Sequence, residues 1–150
     1  MKMRFWLGCL MVVFCLGIGS QAGAHCEIPC GIYDDTMRVS MLKEHLVTIE
    51  KSMQTVKALQ KDENTNMNQL VRWIMNKEDH ANQFQEIVSQ YFMTQRVTPD
   101  SKHYTQKVEV LHQMLVLAMR CKQTTDTAHV QTLRELISEF EKLYFGHSHD

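Results

Sequence analysis

Within ten residues, His25-Cys26-Glu27-Ile28-Pro29-Cys30-Gly31-Ile32-Tyr33-Asp34, the sequence places two of its five cysteines, a histidine and one of its two prolines. This stretch can do metal chemistry if its first residue carries a free amine, and cleavage after Ala24 would supply one. His25 then becomes residue one. The next few residues offer an amine, an imidazole, a backbone amide and two thiols. The amine and amide of the first two residues close a five-membered chelate ring. With the Cys26 and Cys30 sulfurs they can form a planar N2S2 set, a tetragonal geometry that suits Ni(II) or Cu(II) over Zn(II). Two thiolates and a deprotonated amide push electron density onto a metal and favour its higher oxidation state. The His25 imidazole can add an axial ligand. Both thiols and the amide must lose protons, so binding weakens in acid. The competing reading of Cys26 and Cys30 is a small disulfide or a redox pair, which export permits. That reading leaves His25 at the cut site unexplained.

The cut site follows from what precedes it. Lys2 and Arg4 form a basic start, Phe5 to Ile18 is mostly apolar, and Ala22-Gly23-Ala24 is a small-x-small cleavage pattern. The expectation is a cleaved signal peptide over 1–24 and export to the periplasm or beyond the cell. The apolar run is short for a membrane span. Without Lys2 and Arg4 the count is 14 Lys and Arg against 17 Asp and Glu, a net charge of about −3. That mild acidity argues against nucleic acid and against an anionic membrane surface. Cys9 and Cys15 leave with the leader, and Cys26, Cys30 and Cys121 remain. An odd count excludes a full intrachain disulfide framework.

The elements that must carry the hook 25–34 are helices. Asp34 or Asp35 can cap the first. Val39, Leu42, Leu46, Ile49, Met53 and Val56 then recur at three- and four-residue steps, one apolar stripe. Lys61 to Asn66 reads as a loop. The second stripe runs Met67, Leu70, Ile74, Ala81, Phe84, Val88 and Tyr91, with Lys77 interrupting the seam. Arg96 to Ser101, with Pro99, reads as the next loop. The third stripe is Tyr104, Val108, Leu111, Leu115 and Ala118, widened by Met114 and Leu117. After Gln123 to Asp126 comes the fourth, Val130, Leu133, Ile137, Phe140 and Tyr144, ended by Gly146. No strand alternation occurs. The spacing predicts an all-α fold, an up-down-up-down antiparallel four-helix bundle over 35–146 with a flexible tail at 147–150. Met53, Met67 and Met114 read as gap fillers in its interior.

His25-Cys26-x-x-Pro29-Cys30-Gly31-x-Tyr33-Asp34 resembles the N-terminus of the nickel-containing superoxide dismutases. The likeness extends to the length of the mature chain, to the four helices, and to the segment from Lys77-Glu78 to Tyr91-Phe92. The resemblance implies disproportionation of superoxide to oxygen and hydrogen peroxide by one nickel ion per chain, cycling between Ni(II) and Ni(III). It implies ligation by the His25 amine and imidazole, the Cys26 amide and the Cys26 and Cys30 sulfurs. It also implies a homohexamer with the hooks at protomer contacts. Tyr33 would stand near the open face of the metal and restrict substrate access. Pro29, with a cis bond after Ile28, would shape the turn between the thiols. A leader-cleaving maturation protease is an expected partner.

Two positions depart from that family. Where a carboxylate on the first helix supports the axial imidazole, this chain has Ser40 and Met41, with Glu44 a turn further on. Such supports matter for metal affinity. Where some members have a lysine after the Tyr-Phe pair, this chain has Met93. Electrostatic guidance would then fall to Arg38, Lys43 or Arg96. Cys121 reads as a buried small side chain, and His45, His80, His103, His112 and His129 as surface or bundle polar residues. His147 and His149 read as a solvated tail. The alternative function is a non-catalytic exported nickel- or copper-binding helical protein, which would bind metal without turning over superoxide.

Overall fold

The computed structural model of the chain describes residues 34–146, within the unit Gly31–Asp150. Those residues form four α-helices: α1 (Asp35–Gln60), α2 (Met67–Glu86), α3 (Tyr104–Gln123) and α4 (Ala128–Phe145). No strand occurs among the described residues. Consecutive helices pack on one another, and α4 returns to pack on α1.

The helices start and stop where local chemistry dictates. The Asp34 carboxylate accepts from the Met37 N–H at 2.7 Å, satisfying one of the orphan donors at the start of α1. Asn66 does the same for α2, accepting from the Gln69 N–H at 3.2 Å. Between them, the Thr65 hydroxyl folds the loop back by donating to the Leu59 and Asp62 carbonyls. Gly146 closes α4 in a left-handed conformation, φ 83°, its N–H donating to the Lys142 carbonyl at 3.1 Å. That conformation costs glycine no Cβ clash. His103 takes the same left-handed region, φ 58°, just before α3.

The α1 stripe is buried as its spacing predicts: Val39, Leu42, Leu46, Ile49, Met53 and Val56 all lie in the interior. Phe84, Phe92 and Phe140 are among the largest fully buried side chains. Phe92 meets Phe140 edge-on, with ring centroids 4.9 Å apart. Truncating such a ring to alanine typically costs about 3–5 kcal/mol.

The second stripe departs from its spacing. Met67 and Ile74 are exposed, with Val71 and Met75 beside them, so Met67 is not an interior gap filler. Burial in α2 begins at Lys77. Lys77 does not break the seam; it is itself buried. Its ammonium donates to the Lys122 carbonyl and to the Thr124 carbonyl, the latter at 3.3 Å, with Glu78 3.4 Å away. Those carbonyls belong to the end of α3 and have no helical partner of their own. The lysine stem is apolar enough to run through the seam, and its head ties α2 to the end of α3.

After Glu86 the helix widens into a π-helical segment, Ile87–Arg96. Its i→i+5 pattern shows in side chains too: the Thr94 hydroxyl donates to the Ser89 carbonyl at 2.7 Å and the Gln95 amide to the Gln90 carbonyl at 2.9 Å. The wider turn lets Ile87, Val88, Tyr91 and Phe92 all reach the interior. Long π-helical stretches are rare and often mark functional sites. No described helix is long and apolar enough to cross a membrane.

Candidate metal centre

The predicted ligands His25, Cys26 and Cys30, and Tyr33 beside them, lie outside the described residues. The structure does describe the ground immediately after them. Asp34 is spent as the cap of α1, which leaves Asp35 free for another role.

Asp35 is the hub of a polar cluster drawn from three elements. Its Oδ1 accepts from the Tyr91 hydroxyl at 2.6 Å and its Oδ2 from the Tyr144 hydroxyl at 2.8 Å. Arg96 Nε stands 3.1 Å from Oδ1. Arg96 also donates through a terminal nitrogen to the Tyr91 hydroxyl at 3.1 Å, and its guanidinium lies 4.9 Å from the centre of the Tyr91 ring. Arg38 covers the same ring at 4.8 Å. The π-helical segment explains the Tyr91–Arg96 contact. Residues five apart share a face only where the helix is widened.

The cluster shapes its own protonation. Burial, and then the hydrogen bond to the Asp35 carboxylate, push the Tyr91 hydroxyl above its ordinary value. The same causes in the same order push Tyr144 up further. Both phenols therefore stay protonated, as donors to Asp35, across the neutral range.

The three cations expected to guide an anion are placed differently. Lys43 pairs with Glu141, which is buried, at 3.1 Å. Arg96 pairs with Asp35, and Arg38 stacks on Tyr91. Lys43 and Arg96 are thus partnered by carboxylates. Ser40 turns its hydroxyl back to the Thr36 carbonyl at 3.0 Å, and Met41 packs against the core. Neither supplies a carboxylate. Glu44 is exposed, while Asp35 is the carboxylate with converging donors at the start of α1.

Other candidate ligands within 34–146 do not assemble a centre. Cys121 is fully buried, and burial pushes its thiol up to about 11. A thiol that is protonated at neutral pH is a poor metal ligand. Among the described residues, no group of three His, Cys, Asp or Glu could hold a metal ion. His103 and His112 are exposed and His129 is half-buried. His45 and His80, thirty-five residues apart, are brought face to face. His25, Cys26 and Cys30 remain the candidate donors, and an amine, an imidazole, an amide and two thiols would suit nickel.

Sequence spacing did not point to the Asp35 cluster. Its members are far apart in the chain, with Tyr144 109 residues from Asp35. The available signal was the doubled aspartate after Tyr33: one carboxylate suffices for the cap.

The described residues form an all-helical bundle, and a short stretch rich in histidine and cysteine precedes it in the sequence. The family model for nickel-containing superoxide dismutase matches residues 20–148, and the chain belongs to that family. No curated protein and no solved structure matches it.

Proposed function

We propose that this chain disproportionates superoxide to oxygen and hydrogen peroxide at one nickel ion, held by His25, Cys26 and Cys30 after removal of residues 1–24. The match to the nickel-containing superoxide dismutase family over residues 20–148 carries this reading, because it spans the hook as well as the helices. A bound nickel ion would supply one-electron chemistry between Ni(II) and Ni(III), enough for one superoxide to be oxidised and a second, with two protons, to be reduced.

The chain's residues have distinct tasks in this reading. The Cys26 and Cys30 thiolates and the Cys26 amide nitrogen give the strong donor field that makes Ni(III) accessible. The His25 amine and imidazole would supply further nitrogen donors to the metal. Tyr33 narrows the approach to small anions. Asp34 and Asp35 fix where α1 starts, and thus where the hook ends. Cys30 is five residues from Asp35, a reach of at most about 18 Å. The same reading includes export to the periplasm or outside the cell, up-down-up-down helices and a homohexamer.

The amine exists only once the leader is removed, so cleavage switches on metal binding. The test is nickel content and superoxide turnover on protein whose N-terminus is shown by mass spectrometry to be His25. One nickel per chain with turnover, lost in His25→Gln, Cys26→Ser and Cys30→Ser, is the expected result. Full activity in protein retaining one extra N-terminal residue would refute the role of the amine. Tight nickel binding without turnover would make the protein a metal carrier.

A further inference from the structure

His45 of α1 and His80 of α2 meet with their Nδ1 atoms 2.9 Å apart, ring centroids 5.1 Å apart and planes tilted by 58°. His45 is 7% exposed, and His80 is half-buried. The other ring nitrogen of His45, Nε2, is buried with no hydrogen-bond partner among the described residues.

These facts fix the tautomers. A 2.9 Å contact between two Nδ1 atoms is a hydrogen bond only if one carries the proton and the other a lone pair. If His45 were the acceptor, its proton would sit on Nε2 as a buried N–H without a partner, the costlier kind of orphan. His45 is therefore protonated on Nδ1 and donates to His80. His80 accepts on Nδ1 and carries its own proton on Nε2. In this state no lone pair is open to water. A further proton must either break the bond at His80 Nδ1 or enter the buried Nε2 of His45.

We propose that the His45–His80 pair is an acid-sensitive latch between α1 and α2, closed when both rings are neutral and opened by protonation. Burial lowers the basicity of His45, and His80 from α2 lowers it further, while Glu44 on α1 opposes them weakly. The neighbouring charges are already engaged or solvated. On α2, Glu78 pairs with Lys77 and Asp79 is exposed; from α4, Glu141 pairs with Lys43. Among the described residues, Glu44 is the carboxylate that acts on His45. The contact lies ten residues into α1, about 15 Å along the helix from its start.

The sign follows from the lowered value. The unfolded chain takes up a proton at His45 near pH 6.5, whereas the buried His45 of the closed latch resists it. The latch's stabilisation is complete above about pH 6.5 and falls as the pH drops below it. The proton excluded from His45 lowers the folded-to-unfolded ratio by up to about tenfold per pH unit until the folded group itself titrates.

The test has two parts, both on the full chain with a metal chelator present. Imidazole nitrogen NMR at pH 7.5 should show His45 with its proton on Nδ1 and His80 with its proton on Nε2. Urea unfolding from pH 7.5 to 5 should show wild type losing at least tenfold more of its folded-to-unfolded ratio than the double variant His45→Gln/His80→Gln. His112→Gln, at an exposed site, should behave as wild type. Equal pH slopes in wild type and the double variant would overturn the proposal. So would His45 protonated on Nε2, or a tautomer pattern that forms only when metal ion is added. If the double variant fails to fold, the NMR measurement on wild type decides alone.

Discussion

Removing the Asp35 carboxylate should be the most damaging polar change at the start of α1. In Asp35→Ala the Tyr91 and Tyr144 hydroxyls lose acceptors at 2.6 and 2.8 Å, and Arg96 loses its ion-pair partner at 3.1 Å. Hydrogen bonds to a charged group contribute about 1.5–3 kcal/mol each. The ion-pair share must be discounted, because both side chains are more than a quarter exposed. Tyr91 can still accept from Arg96, but it loses its 2.6 Å acceptor at a site only 4% exposed. The expected loss is about 3 kcal/mol in urea unfolding, read as a lower midpoint with an unchanged slope. A double-mutant cycle with Tyr144→Phe should isolate about 1–2 kcal/mol for that pair. Ultraviolet titration gives a second reading, since both tyrosines should ionise closer to the ordinary value of about 10 in the variant. In wild type their raised values stabilise the fold fully below about pH 10. That contribution is lost as the pH rises toward the folded-state values. A variant within about 0.5 kcal/mol of wild type, with its tyrosine titration unchanged, would refute this account of the cluster.

Three further outcomes follow from the packing. Lys77→Met keeps the apolar stem but strands the Lys122 and Thr124 carbonyls, and should cost about 1–3 kcal/mol, with faster amide exchange at the end of α3. Cys121 should resist thiol reagents at pH 8 in the folded protein and react once unfolded, as mass spectrometry of the labelled chain would show. A thiol held at about 11 is roughly one part in a thousand thiolate there. Phe92→Ala should cost about 3–5 kcal/mol in the same unfolding assay, because the ring packs edge-on against Tyr91, Phe140 and Tyr144.

The sequence alone determined the helices, because helical periodicity is local. Helix one was legible from six apolar residues at three- and four-residue steps, all of them buried. Its start was legible from an aspartate that can reach back to a nearby N–H. The metal reading of the hook rests on donors that lie within six residues of one another in the chain. Only the tertiary structure could decide the rest, because those facts depend on which helices meet. Spacing made Lys77 a flaw in the seam. The end of α3 beside it makes it a cap. Spacing put Met67 and Ile74 inside, but no other helix covers the first turns of α2 enough to bury them. The π-helical widening at Ile87–Arg96 has no sequence period of its own at this length, yet it places Arg96 against Tyr91. His45 and His80 read as separate polar residues until α1 and α2 packed, and Asp35 read as a spare cap until Tyr91 and Tyr144 arrived from distant helices. Local periodicity encodes which face of a helix is apolar; what that face meets is set by the packing of the whole chain.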